Sequence, residues 1–469
     1  MKDLHEFGVL EAAVAIRAGD ITAETLAAAL LQRAQAFGSL NAFVTLDADQ
    51  IMAAARAADR RRQSGQDLGP LHGVPIALKD NIDTASMPTT AGTPGLRAHQ
   101  PTANAPVAQA LIDAGAIVFG KNGMHELAFG VTSNNAAFGA IRNPFDSRHV
   151  PGGSSGGSGA AVGARIVPAS IGTDTGGSVR IPAAFCGVMG FRPTLLRWPQ
   201  AGIVPISSTR DTAGPLARKA ADLAAIDAVV AGEGGALAAK PLVGLRIGVP
   251  RTFFWDDLEQ ETARICEAGL DALEHAGAVL IEVDLPNIAA LDQAVSFTVA
   301  LYEVKRDLDR YLEDDGLSKR FAEIVAETAS PDVKGILGSL LDPATAVPEQ
   351  AYREAMQTHR PKLIEVYRSY FAGHNVDAVV FPTSPLPPPL IGEDETVMLN
   401  GRAVPTFMTV VRNTGPGSNA GIPGISVPVG LTSGGLPVGL EFDGPAGRDR
   451  GLLAIALAVE SVFPAPPAP

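Results

Sequence analysis

Glycine placement constrains this chain more than any other feature. Two runs, PGGSSGGSG at 151–159 and GTDTGGSVR at 172–180, are separated by a small-residue and apolar stretch that ends in a strand-like segment, RIVPASIGTD. Glycine allows backbone conformations that other residues avoid. A run of this kind is therefore either a flexible linker or a loop built for close approach. A linker needs no partner residues elsewhere in the chain, whereas a loop that builds a site does. The second run, entered directly from a strand, favours the loop.

Around these runs the apolar periodicity switches between helix and strand. Residues 9–63 carry apolar positions at helical spacing, with Leu26, Leu30 and Leu31 following a Thr22 N-cap. HGVPIALKD and AIVFGK are short β-rich runs with a helical PVAQALIDAGA between them, which predicts a βαβ unit. RIVPASIGTD, GLRIGVP, VLIEVDL and DAVVFPTSP read as further strands. ETARICEAGLDALEHAG, residues 300–373 and LLAIALAVESVF read as helices, and VVAGEGGALAAK as the best linker segment. Residues 382–425, rich in Pro, Gly and Ser, read as irregular. The expected fold is α/β, with a mixed, largely parallel central sheet covered by helices on both faces. An N-terminal helical segment (1–65) precedes an α/β domain (66–462), whose core is 70–220 and whose variable helical region is 285–375. A disordered tail (463–469) closes the chain.

Composition narrows the function classes. A hydrophobic fraction of 46% in 469 residues supports an extensive core. The net charge of −13, with no basic run, argues against a nucleic-acid or anionic-membrane surface. Cys186 and Cys266 fit neither a metal-ligand spacing nor a disulfide framework. The N-terminus lacks the pattern of a signal peptide, and no window approaches the ~18 apolar residues of a membrane span. A cytoplasmic setting is expected.

Ser178 follows Gly176 and Gly177, where a turn directs successive N–H groups to one point, as an oxyanion hole requires. A serine there attacks a carbonyl only if a base removes its proton. No histidine lies between His149 and His275, and one brought close by the fold stays open. The other candidate base is Lys79, at the end of the apolar GVPIALK: burial disfavours the ammonium, whereas the same lysine on the surface would be an ordinary solvated charge. Two other matches are set aside. Gly152, Ser154 and Gly156 satisfy G-x-S-x-G, but turn-like sequence precedes them instead of a strand. GAIVFGKN approximates a phosphate-binding loop, yet Asn122 replaces the Ser/Thr such a loop needs.

LHGVPIALKDNID, the stretch from PGGSSGGSG through GTDTGGSVR to GFRPT, and DTAGPLAR together resemble the amidase signature family of serine hydrolases. The match covers roughly 70–220, and FPTSP and GIPGISVPVGL extend it more weakly. The resemblance implies Ser178 as the acyl-forming nucleophile, Ser154 as a bridging serine after a cis Gly153–Ser154 peptide, and Lys79 as the base. It implies an oxyanion hole from the N–H groups of Thr175, Gly176, Gly177 and Ser178, and no metal or cofactor. Ser155, Asp174 and Arg180 are expected to support the loops, the last two as an ion pair.

MHELAFGVTSNN and PRTFFWDDLEQE resemble the indoleacetamide and mandelamide hydrolase branch, which implies a small aryl or arylalkyl amide cleaved to acid and ammonia or amine. Met124, Phe129 and Trp198 are the expected pocket residues, with Phe138 and Trp255 as further scarce aromatics. The expected partner is the small-molecule amide, with no nucleic acid or membrane, and a homodimer is an allowed assembly. Three alternatives remain: an anilide or carbamate hydrolase, a non-catalytic scaffold, and a glutamine-dependent amidotransferase subunit. The last would bind glutamine's charged ends through groups such as Arg412, Glu441 and Asp443.

Overall fold

The computed structural model describes residues 3–463 and 465–469. Met1 and Lys2, in the expected N-terminal helical segment, and Pro464, in the expected tail, lie outside the described residues. The sheet has eleven strands: β1 (Phe43–Thr45), β2 (Pro75–Lys79), β3 (Ile117–Asn122), β4 (Ala169–Asp174), β5 (Met189–Arg192), β6 (Thr212–Ala217), β7 (Arg246–Val249), β8 (Val279–Glu282), β9 (Ala378–Pro382), β10 (Gly424–Leu431) and β11 (Pro437–Asp443). Their spatial order is β1-β3-β2-β4-β6-β5-β10-β11-β9-β7-β8.

The sheet is mixed, as expected, and its parallel pairings form two blocks. One is β3-β2-β4, which contains the predicted βαβ unit with its helix Pro106–Asp113; the other is β9-β7-β8. Every pairing between the blocks is antiparallel, through β6, β5, β10 and β11. Periodicity did not mark these four strands, because glycine or proline interrupts each: MGFR, TAGPLA, GISVPVGL and PVGLEFD. The structure shows how they are tolerated. The ladder shifts register between Pro428 and Gly430, and the pairing of β6 to β5 stops at Leu216, short of Pro215. The segment 382–425 is less irregular than its composition suggests. It contains a hairpin, Thr396–Leu399 with Arg402–Pro405, and helices Thr406–Val411 and Gly415–Ala420.

N-terminal helices Val9–Ala18, Ala23–Ala36 and Ala48–Gln63 pack on the main core, the second capped by Thr22 as the sequence indicates. Phe463, where the expected tail begins, also packs into that core. A separate apolar cluster joins Leu308, Phe321, Ile324 and Val333 of the helical region to Met124, Phe129, Val204 and Ile206. It thereby lays the long helix Ile288–Asp314 over the loop that follows β3 and the loop that precedes β6. No helix among the described residues is long and apolar enough to cross a membrane.

PGGSSGGSG is no linker. Its second half starts the helix Gly156–Gly163, buried along its whole length. The glycines allow this helix to approach other backbone: a Cβ on Gly157 would lie 2.4 Å from the Gly123 carbonyl oxygen and 2.5 Å from that of Ala42. Neither backbone oxygen can swing aside. Gly157→Ala is therefore expected to destabilise the protein by about 1–3 kcal/mol, the usual cost of overpacking. An unchanged midpoint in urea or thermal unfolding would contradict this reading.

Candidate active site

β2 and β4 run parallel as neighbours, with Leu78 opposite Ile171, so their C-terminal ends bring Lys79 beside Thr173. Lys79 Nζ lies 2.7 Å from Ser154 Oγ and 2.8 Å from Thr173 Oγ1. Asn81 Nδ2 donates to the same Thr173 hydroxyl at 3.1 Å. Lys79 and Ser154 are fully buried. Burial lowers the Lys79 amine to about 7, against the opposing pull of the Asp174 and Asp211 carboxylates. A near-neutral amine in hydrogen-bond contact with a hydroxyl is a proton acceptor at neutral pH.

The Gly153–Ser154 peptide is cis. The Ser154 carbonyl accepts from His125 N at 3.0 Å, and the Gly152 carbonyl from Ser133 Oγ at 2.8 Å. Ser155 ties the glycine runs together: its Oγ donates to the Thr173 carbonyl at 3.1 Å, and its N–H to the Ser178 carbonyl at 3.3 Å. Among the described residues, no histidine side chain bonds the hydroxyl of Ser154 or Ser178.

Asp174, at the end of β4, organises the second glycine run. Its Oδ1 accepts from Gly177 N at 2.8 Å and its Oδ2 from Val179 N at 3.1 Å and Arg180 Nε at 3.0 Å. Arg192 Nη1 also reaches Oδ1 at 3.0 Å. Burial alone would raise this carboxyl, yet the Arg180 and Arg192 guanidiniums hold it well below the usual carboxylate range. Gly177 has φ 137°, and a Cβ there would lie 2.2 Å from Thr414 Oγ1. The Gly177 N–H is thus already donated to Asp174. Of the four N–H groups expected to face the reacting oxygen, those of Thr175, Gly176 and Ser178 remain uncommitted among the described residues.

Ser178 is half-buried and borders a cavity of about 70 Å³. Phe129, Phe297, Phe407, Val131, Ile181, Ile206 and Val411 line it, with Arg210 and Ser296 as polar neighbours. Phe297 and Phe407 pack with ring centroids 5.5 Å apart. Arg210 donates to the Ser296 carbonyl at 2.5 Å and the Thr175 carbonyl at 3.2 Å. Of the expected pocket residues, Phe129 lies here. Trp198 is buried in the main core with its Nε1 donating to Asp227 at 3.0 Å, and Met124 borders a different cavity beside Phe43 and Phe138. Trp255 lies under the Arg251 guanidinium.

Phe297, Phe407, Arg210 and Ser296 carry no sequence signal, since they arrive from three separate segments: the helix Ile288–Asp314 (Ser296 and Phe297), the helix Thr406–Val411 (Phe407) and the loop before β6 (Arg210). Asn81 and Thr173 were legible in principle, standing two residues after Lys79 and one before Asp174. The groups considered for glutamine lie elsewhere. Arg412 donates to Asn413 and the Asp256 carbonyl, while Glu441 is bonded to Arg180 and Asp443 lies 3.9 Å from it in the buried network.

The Amidase family model matches residues 25–453. An indoleacetamide hydrolase of Agrobacterium vitis is 44% identical over 448 residues, covering 96% of this chain and 95% of that protein. A mandelamide hydrolase of Pseudomonas putida is 42% identical over 485 residues, with 99% and 93% covered. A solved amidase crystal structure superposes with a TM-score of 0.88 at 34% identity, covering 98% of this chain and all of that one.

Arg180 is fully buried between Asp174 and Glu441. Arg180→Met leaves Glu441 buried without its cation and Asp174 with Arg192 alone, and is expected to lower stability by about 3–5 kcal/mol. A denaturation midpoint close to wild type would show that the network is dispensable.

Proposed function

The chain belongs to the amidase family of amide-hydrolysing enzymes, and from that premise we propose that it cleaves small arylalkyl amides through Lys79, Ser154 and Ser178. The observation that carries this reading is the buried 2.7 Å contact between Lys79 Nζ and Ser154 Oγ, set beside a phenylalanine-lined cavity holding Ser178. Arylalkyl acyl groups match that lining, since aromatic rings favour edge and offset contacts with other rings. The 42–44% identity to indoleacetamide and mandelamide hydrolases supports the same substrate class.

Neutral Lys79 accepts the Ser154 proton, keeping an N–H bond to Thr173 Oγ1, and Ser154 takes the Ser178 proton as Ser178 Oγ attacks the amide carbon. The negative charge that develops on the carbonyl oxygen is met by the N–H groups of Thr175, Gly176 and Ser178. Each such donor is typically worth about 3–4 kcal/mol in the transition state. The proton returns through Ser154 to the leaving nitrogen, the C–N bond breaks, and water hydrolyses the Ser178 ester. No step calls for a metal or cofactor. Asp174, Arg180 and Ser155 hold the loops and do not touch the reacting atoms.

Ammonia release from indole-3-acetamide, mandelamide, phenylacetamide and glutamine by the purified chain tests the substrate class. Release from the arylalkyl amides and none from glutamine is expected; the reverse pattern would replace this reading with the amidotransferase one. Ser178→Ala should lose on the order of 10⁴-fold or more in kcat, and Lys79→Ala about 10²–10⁴-fold. Only the unprotonated amine is active. Therefore kcat/KM should rise about tenfold per pH unit below pH 7 and level off above it, following the Lys79 value of about 7. A profile flat from pH 5 to 9 would remove Lys79 as the base.

A further inference from the structure

A second cavity, of about 350 Å³, adjoins the first. Ala128, Thr175 and Ile206 line both and form their common wall. The smaller cavity contains Ser178. The larger is bounded at its inner end by Thr173, whose hydroxyl bonds the Lys79 amine, and by Asn81, which donates to that same hydroxyl. If the carbonyl carbon sits at Ser178 and the leaving nitrogen collects its proton from the Lys79–Ser154 side, the nitrogen half of the amide points into this larger space. That orientation rests on the mechanism proposed above.

The space is too large for ammonia alone, since a water-sized molecule needs only roughly 10–15 Å³ of such volume. Its chemistry is also specific. Asn81 is 2% exposed, and while its Nδ2 bonds Thr173 and the Val204 carbonyl, its Oδ1 has no partner. A buried acceptor left open at a cavity edge suits a ligand that brings an N–H. The outer end is acidic. Asp307, Asp314 and Asp315 line it against one lining cation, Arg310, while Asp211 lies at the common wall, where it accepts from Thr175 Oγ1 and Ile206 N. Arg306 pairs with Asp307 at 2.7 Å and His99 with Asp315 at 2.9 Å. Asp314, by contrast, has no ion pair among the described residues. This wall favours a positive charge.

We infer that this cavity binds the amine half of an N-substituted amide, a small amine carrying a second, positively charged nitrogen. The scissile N–H faces Asn81 Oδ1, and the distal ammonium faces Asp314 and Asp315. As the bond from Ser178 Oγ to the acyl carbon forms, the C–N bond breaks. The nitrogen takes the proton passed from Ser154 and leaves as the free amine into the acidic cavity. Water then cleaves the ester and restores the Ser178 hydroxyl.

The test compares phenylacetamide, N-(2-aminoethyl)phenylacetamide, its neutral isostere N-propylphenylacetamide and anionic phenylacetylglycine as substrates. Their binding to the Ser178→Ala chain is measured alongside by calorimetry. The aminoethyl amide is expected to exceed the propyl amide about five-fold or more in kcat/KM and in affinity, a change of the size expected for one exposed charge pair. Phenylacetylglycine is expected to be the weakest. In Asp314→Asn/Asp315→Asn the ratio of aminoethyl to propyl amide should fall toward one. Turnover of phenylacetamide without that preference overturns the inference and leaves the proposed function standing. No turnover of any amide, with the binding preference intact, overturns the proposed function and leaves the cavity assignment. Loss of both overturns both.

Discussion

The Asp174 carboxylate accepts two backbone N–H groups of the glycine turn and two guanidiniums, all in a fully buried setting. The position of Ser178 depends on these bonds, because the turn that carries it has no regular secondary structure of its own. Burying a carboxylate with two arginines is costly unless the geometry satisfies nearly every donor and acceptor. Here the end of β4 supplies the carboxylate, β5 supplies Arg192, and the helix Arg180–Phe185 supplies Arg180. The antiparallel centre of the sheet is what brings these elements together. Bonding Gly177 N–H to Asp174 also leaves its neighbours' N–H groups free, which separates the donor that holds the loop from those able to meet an oxyanion.

Lys79 works by the opposite principle. It lies one strand away, yet it has no carboxylate in direct contact, and its nearest partners are hydroxyls. Desolvation therefore dominates over the more distant Asp174 and Asp211 charges and leaves an amine near neutrality. Had Asp174 not been held by two arginines, its charge would act more strongly on Lys79 and raise the amine again. The two networks are coupled through electrostatics without sharing a hydrogen bond.

Much of this was legible. GVPIALK and RIVPASIGTD read as apolar strands that end in Lys79 and Asp174, and parallel pairing of such strands places their ends side by side. The glycines of 151–159 and 172–180 were readable as loops demanding close approach, and the turn at Gly177 shows why: a side chain there would meet Thr414. Strands β5, β6, β10 and β11 escaped notice, since glycine and proline break the alternation by which a strand is recognised. Trp198 illustrates a different limit. Composition marks a scarce aromatic, but only packing shows that its indole is spent on Asp227 in the core.

The sequence by itself determined the class of fold, the identity of the chemically capable side chains and the loops that carry them. These follow from local propensity, apolar periodicity and the conformational needs of glycine, all properties of a short stretch of chain. The tertiary structure alone decided which phenylalanines surround Ser178, which N–H groups stay free, and that two cavities of different chemistry share a wall at Ala128, Thr175 and Ile206. Phe129, Phe297 and Phe407 converge from three segments far apart in the chain. Phe297 comes on the helix Ile288–Asp314 and Phe407 on the helix Thr406–Val411, and no local pattern encodes a contact between distant segments.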